Sequence, residues 1–449
     1  MMTNKLSKID VLALVVGSVI GWGAFYLPGQ KFLHQSGVIN TALGFLLGWI
    51  MIYFVQIAYH VMMLNHKDKG GEFSYVYNHL GKKHGFIVGW SLSFCYLTLI
   101  PLNASALTLV IKSLIPNFSY FYLYTIVGNK VYLSDLIVST LIIYCFYQIN
   151  KRGISLSMNF QKLLILLLVV IVLSLTSLIL IKDYNSNIFI SNYISHYHFD
   201  VSQILQILAV IPFLFVGFDI VPQVITDLGF NRHFATRMTV IATGFGVLIY
   251  NAINLLTALT FSPKAAHHLT WASGSAVLNH FGWLGFFMLA IALFAAIVGG
   301  INGFMVGSSR VIASLASYRL LPKYFEIENE VEVPVNALKF ITFISILMPL
   351  LGRMIILYIV DLSSLMAGLT YAYVSFISIS LSKTKLEKTF CYLGFIVGLT
   401  FMMLLISPGS PSQLRPMSFL ILLLWVLLGY FYYTKLSKYH YSYFHKEKK

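Results

Sequence analysis

Charge is scarce in this chain. Lys, Arg, Asp and Glu together make up 10% of its 449 residues, against about 25% in soluble globular proteins. So little charge cannot clothe a water-facing surface, which excludes a soluble enzyme, a nucleic-acid-binding domain and a disordered protein. Cysteine is scarce too. Cys95, Cys145 and Cys391 each sit inside an apolar run, so there is no disulfide framework and no CxxC pair for metal or redox work. The histidines form no ligand set. No HExxH, paired-aspartate or Gly-x-Ser-x-Gly pattern supports hydrolysis or group transfer inside a membrane. The residues therefore call for no enzyme activity, no metal and no cofactor.

Apolar residues fill the space, at 58% of the chain. About twelve runs reach the roughly 20 residues that a membrane helix needs. They lie near 9–27, 38–63, 85–111, 132–149, 159–181, 203–224, 238–260, 282–304, 336–352, 354–381, 388–407 and 417–434. None alternates polar with apolar, as barrel strands would. The fold class is an all-α integral membrane protein in a lipid bilayer. The first run lacks a small-residue cleavage site and reads as a membrane helix, not a removable signal.

The net charge of +15 reads as a topology signal and not as a nucleic-acid footprint. Of the 30 Lys and Arg, 23 fall in one alternating set of loops that includes both termini, leaving seven for the other. Basic loops stay inside, so both termini are expected in the cytoplasm, with the protein in the inner or plasma membrane. The first half of the loop at 305–339 keeps helical periodicity and should continue the eighth span inward. Glu326, Glu328, Glu330 and Glu332 read as a solvated face. The tail at 435–449 mixes basic and aromatic residues and reads as an interfacial anchor. The sequon at Asn103 falls inside the third run, where no glycan could attach.

Two spans carry breaks. Gly17-Ser18-Val19-Ile20-Gly21-Trp22-Gly23 puts three glycines into the middle of the first. In the sixth, Pro212 and Gly217 flank Phe213-Leu214-Phe215-Val216, followed by Phe218, Asp219 and Pro222. Glycine costs a helix interior about 1 kcal/mol and proline about 3. Unwound backbone is tolerated at membrane depth only where protein encloses it. A half-helix N-terminus offers N–H groups to an anion and a half-helix C-terminus offers carbonyls to a cation, so paired breaks suit a zwitterion such as an amino acid. Glycine-mediated close packing is the plainer alternative. Asp219 lies just past the second break. Buried carboxylates in membranes mark ion, proton or substrate paths, so Asp219 reads as a coupling group or as a gate contact. Asp10 could N-cap the first span.

Five segments carry a family resemblance. GSVIGWGAFYLPG resembles the first-helix signature of the amino acid–polyamine–organocation permeases, and residues 70–90 resemble that family's next signature, with Gly70-Gly71-Glu72-Phe73, Gly85-Phe86 and Gly89-Trp90. Asn150-Lys151-Arg152-Gly153, PFLFVGFDIVPQ and the spacing of Asn302, Arg310 and Pro322 complete the series. The resemblance covers about residues 5–340. It implies the LeuT-type fold: five-helix repeats at 9–181 and 203–381 in inverted orientation, two further helices at 388–434 and the tail at 435–449. Carried over, Gly21 and the amides around Trp22 and Gly23 would take a substrate carboxylate. The carbonyls of Val19, Phe213 and Val216 beside Gly217 would take an amine, and the rings of Trp22, Phe215 and Phe218 would close the pocket.

The resemblance also implies a proton-carrying Lys in the fifth helix or a sodium-binding hydroxyl pair in the eighth. Leu168 stands at the first place, and Ile291 to Val298 offers no hydroxyl at the second. Exchange, or proton coupling through Asp219, remains. The expected function is alternating-access transport of amino acids or related amines, with protons as the possible second partner. The alternative is a channel or membrane scaffold without a transport cycle.

Overall fold

A lipid-embedded helix must satisfy its backbone internally, and the apolar runs do so as helices. The computed structural model describes residues 5–66, 69–115, 117–184, 186–195, 197–410 and 412–446. Of the expected 435–449 tail, residues 447–449 and the side chains beyond 435 lie outside what is described. Among the described residues nine helices are long and apolar enough to cross a bilayer, and eleven spans result when each of two bent pairs counts as one. The longest stretch, Val335–Leu381, has 47 residues, about 70 Å at 1.5 Å per residue. That is twice a hydrocarbon core of about 30 Å. A 3-10 turn at Met348–Leu351 and Gly352 at φ 75° interrupt it, and division there gives twelve.

In order, the spans are Lys8–Val19 with Gly23–Ser36, Ile39–Asn65, Lys82–Leu114, Leu133–Lys151, Ile154–Asp183, Val201–Leu208 with Ile211–Asp227, His233–Thr260, Ala272–Ser317, Val335–Leu347, Gly352–Leu381, Lys385–Ile406 and Pro416–Lys435. Two run longer than the apolar pattern suggests. The first continues to Ser36 through a π-helical turn at Pro28–Phe32, whose wide loop accommodates the proline. The eighth, kinked at Gly282 (φ 61°, ψ −158°) where the apolar run was expected to begin, reaches Ser317, which includes the expected inward extension. A β-hairpin pairs Tyr122–Ile126 with Asn129–Tyr132. Its turn residues Val127 and Gly128 sit at φ 47° and 75°. A β-branched residue is a poor fit to such a turn, which hid the hairpin from sequence reading.

Asp10 is not the N-cap of the first span. Ser7 caps it, and Asp10 closes a capping box: Asp10 N–H donates to Ser7 Oγ at 3.2 Å and Ser7 N–H to Asp10 Oδ2 at 2.8 Å. Asp10 also pairs with Lys162 of the fifth span at 2.8 Å.

The first span packs against the fifth, seventh and eighth. Its contact with the eighth is backbone on backbone: a Cβ on Gly299 would stand 3.2 Å from Gly17 Cα. Gln161 of the fifth span bridges them, donating Nε2–H to Ala13 O and Gly299 O, each at 3.3 Å. Asn302 Nδ2 donates to Gln161 Oε1 at 3.0 Å, while Asn302 Oδ1 accepts from Asn150 and Ser157. A Cβ on Gly17 would collide with the Gln161 amide. Gly17→Ala should therefore lower thermal stability in detergent by about 1–3 kcal/mol, the cost of stranding buried hydrogen-bonding groups. In a Gln161→Ala background the same change should cost clearly less, and a fully additive pair of losses would show that the bridge is not what Gly17 protects.

Candidate functional site

The first-span helix ends at Val19. Ile20 turns extended at φ −92°, ψ 97°, and the helix restarts at Gly23 with a bend of 45°. The second half begins its hydrogen bonding late, with Ala24 N–H to Gly21 O at 3.2 Å and Phe25 N–H to Trp22 O at 3.1 Å. The N–H groups of Gly21, Trp22 and Gly23 thus stand at a helix N-terminus, where the positive end of the dipole favours an anion.

The sixth span breaks differently. Pro212 sits in the first turn of the short helix Ile211–Phe215, where its missing donor does no harm. Val216 then leaves the helix at ψ 128°, and Gly217 adopts φ 133°, open to glycine and strained for any other residue. A Cβ there would lie 2.5 Å from Ser18 Cβ, so the two breaks press together at Gly217 and Ser18. Asp219 Oδ1 accepts the Gly217 N–H at 2.7 Å, bracing the unwound segment from within.

Between the breaks lies a cavity of about 30 Å³. Val19, Gly21, Trp22, Gly23 and Phe213 line it, as do Asn103 of the third span and Tyr250 of the seventh. Asn103 Nδ2 donates to Leu99 O at 2.9 Å, while its buried Oδ1 has no hydrogen-bond partner. That oxygen would stand 3.3 Å from a Cβ on Gly21, which aims an acceptor at the first-span break. Trp22 and Phe213 also face a vestibule of about 650 Å³, so they form the floor between vestibule and cavity.

The sequence of one family, described as amino acid permease, provides a model that matches residues 6–438. The chain belongs to the amino acid permease family. It is 25% identical over 345 residues to the branched-chain amino acid permease BcaP of Lactococcus lactis, covering 74% of this chain and 72% of that one. It is 22% identical over 343 residues to the arginine/ornithine antiporter of Pseudomonas aeruginosa, covering 75% and 68%. The vacuolar cationic amino acid transporter 4 of Arabidopsis thaliana matches at 22%, covering 75% and 56%. The protein is accordingly a multi-pass secondary transporter of amino acids, from a family of transporters and not of enzymes, and nothing favours the channel or scaffold alternative.

In this permease, half of the residues expected at the site line the cavity and half do not. Phe215 is buried beside Gly246 of the seventh span. Phe218 packs at 5.4 Å on Tyr59 and 5.3 Å on Tyr371. Val216, Gly217 and Asp219 are buried but absent from the lining. The Val19 carbonyl, expected to face an amine, already accepts from Tyr250 Oη at 3.2 Å. Sequence reading missed Asn103 and Tyr250. Asn103 had a signal, an amide alone in an apolar run; Tyr250 had none. Leu168 is wholly buried and apolar, so a hydrocarbon side chain fills the place where the resemblance implies a lysine.

A second polar cluster lies beyond the sixth-span break. Glu72, on the helix Gly71–Leu80 between the second and third spans, is fully buried beside Tyr59 and accepts from Gln223 Nε2. Desolvation by burial pushes its carboxyl well above the usual carboxylate range, and the nearby charge of Asp219 pushes the same way. The fold therefore favours neutral Glu72, and its contribution to stability falls as rising pH ionises it. Glu72→Gln should unfold at a higher temperature than the parent at alkaline pH, and the two curves should draw together toward the ordinary glutamate value of about 4.3. Thermal unfolding of the purified protein across this range checks it. A Gln variant less stable at alkaline pH would mean that Glu72 works as a carboxylate.

Proposed function

We propose that the cavity between the broken spans is the transport site, and that it holds the amino acid by its backbone groups. The carboxylate faces the N–H groups of Gly21, Trp22 and Gly23 at the helix N-terminus. The ammonium faces nearby acceptors: Asn103 Oδ1, the Phe213 carbonyl, and the Val19 carbonyl once Tyr250 gives way. The observation that carries this reading is the buried, unpartnered Asn103 Oδ1 aimed at Gly21. The names of the relatives divide between branched-chain and cationic substrates, which leaves the side-chain preference to this chain's own residues.

The two five-helix repeats expected at 9–181 and 203–381 supply one broken span each, and the site lies where they meet. The basic loops put both termini in the cytoplasm. The vestibule then opens outward, and the opposite end is closed. Leu6 N–H donates to Asp227 O at 2.7 Å, Gly229 N–H donates to Leu6 O at 2.9 Å, and Arg310 pairs with Asp227. In alternating access this end opens when the vestibule shuts.

Uptake of labelled amino acids into proteoliposomes tests the site. Asn103→Leu should weaken competition by free amino acids by about 1–3 kcal/mol, the value of one charge-assisted contact, while esters and N-acyl derivatives compete poorly against the parent. Normal uptake by a folded Asn103→Leu protein would move the site elsewhere. Asp219 acts in this scheme as the brace of the sixth-span break. Asp219→Asn should slow exchange and net uptake by similar factors with pH dependence intact. Loss of gradient-driven accumulation alone, with exchange preserved, would instead make Asp219 the proton carrier.

A further inference from the structure

The vestibule carries an imbalance of charge. Only seven of the 30 basic residues fall on the basic-poor side of the chain, yet Lys31, Arg353 and Arg415 all line this one opening, against a single carboxylate among the described residues, Asp361. Arg415 Nε stands 3.4 Å from Asp361 Oδ2, so that carboxylate is already engaged. Lys112 on the same side is paired with Asp135 at 2.7 Å. Arg353 has no carboxylate partner among the described residues. Its Nη1 donates to Ser105 Oγ at 2.8 Å, and its guanidinium lies 4.8 Å from the Trp22 ring centre. It therefore sits directly on the ring that separates vestibule from cavity.

The cavity below offers the opposite environment. Ser18, Trp22, Asn103 and Tyr250 are its polar side chains, and among the described residues it has no charged one. A cationic side chain would meet repulsion in the vestibule and no counter-charge in the cavity. An anionic side chain would be drawn in and then left in a neutral, water-poor site at a high desolvation cost. A zwitterion with an uncharged side chain meets neither obstacle. Its carboxylate finds a planar guanidinium with no carboxylate partner among the described residues at the floor, on the path to the amides of Gly21 to Gly23.

We propose that Arg353, assisted by Lys31, is a specificity-determining residue that receives the substrate carboxylate at the Trp22 floor and restricts transport to amino acids with uncharged side chains. This inference rests on the cavity being the transport site. A positive, low-dielectric funnel raises the local concentration of negative groups and lowers that of cations by about tenfold or more, an effect that salt weakens as the screening length falls from about 10 Å at 0.1 M to about 3 Å at 1 M.

The experiment is a competition panel on the reconstituted full-length protein, with leucine, alanine, serine, glutamate, arginine, ornithine and putrescine against a labelled neutral amino acid. In the parent protein the neutral amino acids should compete best, with arginine, ornithine and putrescine at least about tenfold weaker. Arg353→Gln should weaken leucine several-fold and leave arginine unchanged or improved, so that the preference narrows. Arg353→Glu should narrow it further, and raising the salt to 1 M should narrow it more in the parent than in the Arg353 variants. If an Arg353 variant fails to elute as a folded protein, Lys31→Gln and the salt series carry the test, since the Ser105 hydrogen bond and the Trp22 ring contact belong to Arg353. Equal competition by arginine and leucine in the parent overturns the inference, as does a preference that neither variant nor salt moves; both leave amino acid transport standing. If no amino acid competes at all, the reading of the cavity falls and the filter falls with it.

Discussion

The structure depends on one contact: Gly217 of the sixth span pressed onto Ser18 of the first. A bilayer core supplies no water to unpaired peptide groups, so a span can unwind there only if another element covers the break. Each break covers the other. Gly217 leaves no side chain between them and reaches a φ of 133° that other residues resist. The N–H it frees is met by Asp219 two residues on. Remove that approach and the unwound segments lose their cover, the cavity loses its walls, and the first-span amides have nothing to hold them apart from the rest of the bundle.

The neighbours are built to keep that contact in place. Gln161 ties the first span to the eighth through main-chain carbonyls, Asn302 holds Gln161, and Asn150 and Ser157 hold Asn302 in turn. An amide can satisfy both spans without bringing a buried charge, which in this apolar setting would require a partner. The family resemblance implies a cation carrier in this part of the molecule. This chain places Leu168 and a network of neutral amides there, which makes the joint structural in character.

Much of this was legible beforehand. Helices were readable because apolar runs are long and their ends are marked by basic residues. The breaks were readable because glycine and proline have a fixed backbone cost wherever they occur. The walls of the cavity were only half readable. A break exposes its backbone on one side, and sequence alone does not say which. Phe215 and Phe218 sit within a few residues of Phe213, yet one lies beside Gly246 and the other packs on Tyr59, and of the three only Phe213 faces the cavity. Asn103 and Tyr250 come from spans that show no break, and their relevance arises from packing over 80 to 230 residues of chain. Glu72 was visible as part of a motif, but its full burial was not, because a loop carboxylate normally faces water.

The dimensions of the cavity bear on how transport is driven. At about 30 Å³ it has room for a water or two, far less than an amino acid needs. Substrate cannot occupy it while Trp22 and Phe213 stand as they do, so arrival must move the floor. A ligand shifts a conformational equilibrium only by its differential affinity for the two states, and here steric exclusion makes that difference large. The sealed end is held by contacts of another kind, a short backbone bridge at Leu6 and the Arg310–Asp227 pair, whose side chains are 15% and 14% exposed. An ion pair so little exposed parts only when water reaches both charges, whereas a packed aromatic floor moves only when something displaces it. The two ends therefore differ in what opens them: substrate works against sterics at one, and hydration works against electrostatics at the other.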